Sequence, residues 1–421
     1  LFTSIYGIVD GLCVSNFVGK TAFAAVNLIM PLPMLLGTIG FMLGTGGSAI
    51  VGITLGEGDQ KKADRYFTLF LLAALVSVSV LAVLGIVFLR PIAVLLGAKG
   101  ELLDYAVRYG RILMVSLPTF ALQNMFQSFF VTAEKPHLGF WFTVGAGCTN
   151  MVLDVLMVGI WGWGVEGAAI ATFISQLVGG VLPVFYFIDR SNSSRLHLCK
   201  TSFYSKVLWD ACINGSSELM TNLSMSLVNI LYNYQLLRLA GENGVAAYGV
   251  IMYAAFLFVA VFVGYAVGSA PIVSFHYGAR NHAEVHNLYR KSLRLIAVVA
   301  VTLTLASMFI IPCVARIFVG YDAELLALTS RAFRLYALSF LIMGFNVYAS
   351  SFFTALGDGV TSALISFLRT LAFQVIAILL LPLLLGIDGI WLAVTAAELA
   401  ALAVSAAMLL TKDKVFHYRK A

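Results

Sequence analysis

RYGRILMVSLPTFALQNMFQSFFVTAEKP, residues Arg108 to Pro136, returns in altered form as RAFRLYALSFLIMGFNVYASSFFTALGDG, residues Arg331 to Gly359. Further along, GWGVEGAAIATFISQL (Gly162 to Leu177) matches LLGIDGIWLAVTAAEL (Leu384 to Leu399), which pairs Glu166 with Asp388. The polar connectors GEGDQKKADR and GARNHAEVHN correspond as well. Self-similarity at this distance means two halves of one architecture. Both copies lie among apolar runs long enough to cross a bilayer, so the halves are bundles of membrane-spanning helices.

Composition agrees. The 421 residues are 61% hydrophobic and 11% charged, against about 25% charged in soluble domains. Twelve spans are expected. The first ends near Val18, followed by about 22–55, 66–89, 105–132, 138–161 and 164–188. The second six cover about 207–239, 245–276, 292–314, 325–356, 360–385 and 389–410. The polar segment DRSNSSRLHLCKTSFYSK divides the chain near its middle. The expected organisation is an N-lobe (1–188, its first helix truncated at the start), a cytoplasmic linker (189–206), a C-lobe (207–411) and a cytoplasmic tail (412–421). The fold class is all-α membrane protein, twelve transmembrane helices in two six-helix lobes. Six is even, so both repeats cross in the same sense and their pseudo-two-fold runs along the membrane normal. Two such bundles would enclose a central cleft that rocking could open to either side.

The net charge of +6 raises the question of nucleic acid. The cations, however, concentrate on alternate connectors: Lys61, Lys62 and Arg65, then Arg190 to Lys206, then Arg280, Arg290 and Lys291, and finally the tail. By the positive-inside rule that side is cytoplasmic and both termini face it. The charge is therefore topological, and no nucleic-acid partner is expected. The five cysteines form no CxxC pair, and four lie in or beside apolar spans as small hydrophobes. No cleavable signal peptide is evident. The chain starts without methionine inside a helix, so residues ahead of Leu1 are expected.

Polar residues at membrane depth carry the functional information, because a carboxylate there costs at least ~2.5–3.5 kcal/mol. Asp10 lies in SIYGIVDGLCVSNFVG, roughly 12 Å below the outer end of span 1. Asn150 and Asp154 share one face of span 5, at roughly 14 and 8 Å, and Thr172 in span 6 falls at roughly 12 Å. Four polar side chains thus converge on one layer. They could be an interhelical hydrogen-bond network, or a cation site in which two acids exchange a proton or ligate Na⁺. Glu218, with Asn214 one turn before it, is either an electrostatic contact for a cationic substrate or a structural residue. Arg369 and Glu398 come out at similar depth, roughly 15 Å, and read as a structural ion pair. Asn346 is the main polar residue of span 10. Tyr253 and Phe345 are candidate stacking surfaces for flat cations. No HExxH or DDxxD motif, and no Ser/His pair at membrane depth, argues for an enzyme.

IYGIVDGLCVSNFVGKTAFAAVNLIMPL, NMVLDVLMVGIWGWGVEGAAIAT, NGSSELMTNLS and SSFFTALGDGVTSALISFLRT together resemble the multidrug and toxic compound extrusion (MATE) family, in its bacterial multidrug-efflux and DinF-like branch. The likeness runs through essentially the whole chain. It implies a monomer in the bacterial cytoplasmic membrane that exports amphipathic compounds, organic cations among them, in exchange for H⁺ or Na⁺ by alternating access, with no cofactor beyond the coupling ion. It maps the family's N-lobe cation site onto Asp10, Asn150, Asp154 and Thr172. A family C-lobe site uses an acid on helix 7, matching Glu218, and one on helix 10, where this chain has none. Glu218, Asn214, Asn346, Tyr253 and Phe345 then become substrate-cleft candidates. The alternative is a flippase for lipid-linked sugar precursors, which calls for more cations in the cleft than Arg369 alone.

Overall fold

A computed structural model describes residues 13–319 and 322–418. Among these residues every regular element is a helix. The chain divides into two compact units, Leu1–Gly215 and Ser216–Ala421.

In the first unit, a π-helical turn at Val14–Val18 ends span 1, closed by Gly19 N–H donating to the Val14 carbonyl at 3.2 Å. Helices α1 (Lys20–Ile29) and α2 (Pro31–Gly56) make the second span. Then come α3 (Gln60–Leu95), α4 (Gly100–Thr132) and α5 (Pro136–Asp154), the last prolonged by a π-helical turn at Val155–Ile160. The sixth span combines α6 (Gly164–Gly180) with α7 (Leu182–Ile188). Helix α8 (Ser205–Gly278) holds two spans, divided at Gly241, whose φ of 61° no helix tolerates.

The second unit continues with α9 (His282–Val319), then α10 (Ala323–Ala337) and α11 (Phe340–Ala355), bent by 46° at their junction. Helix α12 (Gly359–Phe367) passes through a π-helical turn (Leu368–Ala372) into α13 (Phe373–Leu385), and α14 (Ile387–Thr411) precedes the short α15 (Asp413–Phe416).

The fold is therefore an all-α membrane bundle of twelve helices, six from each half of the sequence, with span 1 described from Cys13 onward. Eight described helices are long and apolar enough to cross a membrane, nine with α10 and α11 taken as one. Helix α4 and the first half of α8 fall short for a physical reason. Helix α4 buries Ser116, Gln123, Asn124 and Ser128 against neighbouring helices, whereas the first half of α8 buries Asn214, Ser217 and Ser224 and also exposes Asp210, Ser226 and Asn229. Hydropathy averages around the helix, and so penalises one whose polar face is inward.

The repeat is visible in local chemistry. Asp59 caps α3 by accepting from Lys62 N–H at 3.0 Å, and Asn281 at the equivalent position accepts from Glu284 N–H at 3.2 Å. Such caps stabilise a helix by about 1 kcal/mol. The left-handed turn residues also coincide: Gly58 (φ 86°) with Arg280 (φ 56°), and Glu134 (φ 58°) with Gly357 (φ 82°). Ring pairs persist as well, Phe67–Phe129 at 4.8 Å answering Tyr289–Phe352 at 5.4 Å.

Small residues set helix spacing, as lipid-embedded packing requires. A Cβ on Gly44 of α2 would lie 2.9 Å from Met125 Cα of α4, and one on Gly46 would run into the Ala211 carbonyl of α8. The first turns of α8 are thereby held against α2, which is why the first unit extends to Gly215.

Candidate functional site

In the first unit α5 presents Asn150 and Asp154 one turn apart, 1% and 0% exposed, and α6 presents buried Thr172 opposite them. Asn150 Nδ2 donates to Thr172 Oγ1 across a long 3.4 Å. Asn150 Oδ1, completely enclosed, has no hydrogen-bond partner among the described residues. Asp10 lies outside the described residues. Thr172 is steadied by Ser175, whose hydroxyl donates to its carbonyl at 2.8 Å.

The backbone changes character directly after Asp154. Trp161 N–H donates to the carbonyl of Leu156, five residues back, at 2.8 Å. π-helical turns of this kind are rare and concentrate at functional sites. Gly167 of α6 makes room for this turn, since a Cβ there would lie 3.2 Å from the Met157 carbonyl carbon. An amide oxygen, a carboxylate and a hydroxyl in one buried layer are hard donors. They suit Na⁺, or a proton resting on the carboxylate.

In the second unit Arg369 sits in the π-helical turn of span 11 and faces Glu398 of α14. Arg369 Nε donates to Oε1 at 2.9 Å, with side-chain exposures of 12% and 1%. Asn346 of α11 donates through Nδ2 to the other carboxylate oxygen at 2.7 Å and to the Glu398 carbonyl at 2.9 Å. Ser405 closes the network by donating to Asn346 Oδ1 at 2.9 Å. Both carboxylate oxygens are thus occupied and the two charges cancel, the condition for an acid to persist buried.

The remaining candidates scatter. Asn214 is buried and donates to the Gly46 carbonyl at 3.4 Å. Glu218 is partly exposed, and its carbonyl accepts from Asn222 Nδ2 at 2.8 Å. Phe345 packs beside the cluster around Tyr348 and Phe352. The Tyr253 side chain lies outside the described residues.

Two groups of polar residues had not been singled out in the sequence. Gln123 and Gln176 of the first unit stand at the positions of Asn346 and Glu398 in the repeat. Ser350, Ser362 and Ser366 form a hydroxyl chain, at 2.8 and 2.9 Å, joined by Thr354. The signals were present: residue-by-residue reading of the repeat, and the i,i+4 spacing of Ser362 with Ser366 and of Ser350 with Thr354.

Known proteins share this architecture. The Multidrug export protein MepA of Staphylococcus saprophyticus subsp. saprophyticus is 21% identical over 421 residues, 99% of this chain and 91% of that protein. The crystal structure of MATE in complex with MaL6 superposes with a TM-score of 0.92 at 23% identity, covering 100% of this chain and 94% of that one. A multidrug resistance MATE family transporter of the MOP superfamily, in its outward-facing conformation, gives 0.92 at 22% identity, covering 100% and 93%. The MatE family model matches residues 1–156 and 219–380, three quarters of the sequence, and so this chain belongs to the MatE family of multi-pass membrane transporters.

Proposed function

We propose that the protein is a multidrug antiporter, exporting amphipathic compounds, organic cations among them, by alternating access in exchange for H⁺ or Na⁺ taken up by the first bundle. The observation that carries this is the enclosed layer of Asn150, Asp154 and Thr172, with an amide oxygen that no described residue satisfies. Placing polar groups there is expensive in lipid, and a cycling cation would account for the expense. Asp10 would complete the set from span 1. The orientation, with both termini cytoplasmic, rests on the basic connectors.

In the proposed cycle the site binds its cation from outside, neutralising carboxylate charge. The substrate leaves outward, the lobes exchange access, and the cation is released to the cytoplasm. Coupling requires that cation and substrate favour different states, since equal affinity for both shifts nothing. Ethidium extrusion from right-side-out vesicles under imposed H⁺ and Na⁺ gradients is the test. Asp154→Asn and Asp10→Asn, which keep size while removing charge, are expected to reduce gradient-driven extrusion to background. Wild-type extrusion by either variant would remove this site from the mechanism.

A further inference from the structure

We infer that the first bundle carries a binding site for an anionic phospholipid headgroup where the interdomain linker crosses the start of α3. A cavity of about 370 Å³ opens there, lined by Asp59, Lys61, Lys62, Arg65, Tyr66 and Tyr204. The site lies at the end of the bundle assigned to the cytoplasm, and it rests on membrane embedding rather than on the antiport reading.

The cavity is built by specific bonds. The linker is strapped along the first turns of α3. His197 N–H donates to Asp64 Oδ1 at 3.0 Å, Cys199 N–H to Thr68 Oγ1 at 3.1 Å, and Thr201 Oγ1 to the Arg65 carbonyl at 2.8 Å. Gln60 donates to the Arg195 carbonyl. This strap delivers Tyr204 edge-on to the buried Tyr66, ring centroids 5.5 Å apart, and so forms one wall.

The charge in the cavity is unbalanced. Lys61 and Arg65 stand four apart on one helix face, an arrangement that like charges make unfavourable. None of Lys61, Lys62 and Arg65 makes an ion pair among the described residues, and Lys62 lies over the Tyr66 ring, 5.7 Å from its centroid. The single carboxylate on the wall, Asp59, spends one oxygen on the helix cap. Asp64 is turned to the linker instead. A phosphate would relieve the three cations at once.

A lipid phosphate fits better than a free one because of what flanks the strap. Phe203, 76% exposed, precedes Tyr204, and Trp209, 66% exposed, follows one turn into α8. Exposed aromatic rings at the end of a spanning helix mark headgroup level. Basic pockets between helices on the cytoplasmic side take anionic headgroups by the same physics.

The experiment is native mass spectrometry of the full chain released from mixed micelles of phosphatidylglycerol and phosphatidylcholine. The wild type is expected to retain phosphatidylglycerol selectively. Lys61→Gln/Lys62→Gln/Arg65→Gln is expected to lower that preference at least about tenfold. Lys62→Gln alone, which leaves the cap and the strap intact, is expected to lower it about threefold to fivefold. Lys200→Gln/Lys206→Gln removes two nearby charges outside the cavity and is expected to leave the preference unchanged. Wild-type preference in the triple variant would overturn the site. An equal loss in the Lys200/Lys206 control would overturn it too, by showing diffuse attraction. Complete displacement of the lipid by millimolar inorganic phosphate would overturn the lipid assignment. None of these readouts depends on transport, so failure of the antiport reading leaves them intact.

Discussion

The two bundles share a fold but place their buried charge at different positions. Where the first carries Asn150, Asp154 and Thr172, the second has apolar residues. Thr172 corresponds to Val394, and Asn150 and Asp154 correspond to Phe373 and Ala377, or one residue earlier to Ala372 and Ile376. Conversely, the second bundle's Glu398 and Asn346 correspond to Gln176 and Gln123, and Arg369 falls at Ala146 or Gly147. One bundle has a layer of oxygen donors suited to a mobile cation, the other a permanent cation supplied by its own arginine. A carboxylate locked to a guanidinium and an asparagine has no vacancy to exchange. On the proposed antiport reading, coupling would belong to the first bundle, while the second holds a closed hydrogen-bonded ion pair.

If Arg369 serves only to neutralise Glu398, removing it alone is the severe change. Arg369→Ala is expected to destabilise the protein by about 3–5 kcal/mol, because it strands a buried carboxylate. Adding Glu398→Gln, which gives the second bundle the residue types of the first at both positions, is expected to recover most of that loss. Thermal unfolding in detergent measures both, and extrusion by the double variant should approach wild type. A double variant no more stable than Arg369→Ala would show that Arg369 has another task, such as holding the π-helical turn.

The sequence carried much of this and missed some for definable reasons. The twelve-helix reading followed from apolar runs and the repeat, including α4, whose inward polar face hides it from hydropathy alone. Depth counting put Arg369 and Glu398 at one level, since rise per residue is fixed. It could not show that Asn346 turns to Glu398, because that contact joins α11 to α14 through tertiary packing. The π-helical turns after Asp154 and around Arg369 leave no periodic signature in so few residues. The tail illustrates the same limit. Expected only as a cytoplasmic tail, it buries Tyr418 completely, with its hydroxyl donating to the Leu409 carbonyl at 2.6 Å.

The bundles also differ in how the chain after each sixth helix is fastened to the turn between the fourth and fifth. In the first, Lys135 donates to Ser193 Oγ at 2.8 Å and Arg195 pairs with Glu134 at 3.2 Å, both exposed. In the second, Asp358 occupies the position of Lys135 and binds Lys412 at 2.8 Å, and its side chain is only 12% exposed. Burial works to raise the Asp358 carboxyl, but the bonds from Lys412 and from the hydroxyl and amide of Thr361 outweigh it and hold the group below its ordinary value. A depressed folded-state value means the contribution is complete above the unfolded value of about 3.9 and is lost as pH falls through the folded one. The stability difference between wild type and Asp358→Asn should therefore be constant above about pH 5 and shrink towards pH 3. Lys135→Gln should show no such acid-side change. A difference that persists undiminished at pH 3 would mean that Asp358 contributes through contacts that do not need its charge, and not through this ion pair.

The left-handed turns give the gentlest contrast, because the backbone is common to both halves and only the residue differs. Gly58 and Arg280 occupy the same turn, and a Cβ added at Gly58 would meet nothing within 4 Å. Substitution there isolates backbone strain from packing. Gly58→Ala is expected to cost about 1 kcal/mol, the penalty of a side chain in the left-handed region. Arg280→Gly is expected to return about 0.5 kcal/mol, since relief of strain is partly cancelled by the greater freedom of glycine in the unfolded chain. Glu134→Gly should gain less, because it also removes the pair with Arg195, an exposed contact worth under about 1 kcal/mol. Thermal midpoints of the three variants order these effects. If Arg280→Gly were the most destabilised, the guanidinium would have to be bonding the connector in a way that outweighs the strain its backbone carries.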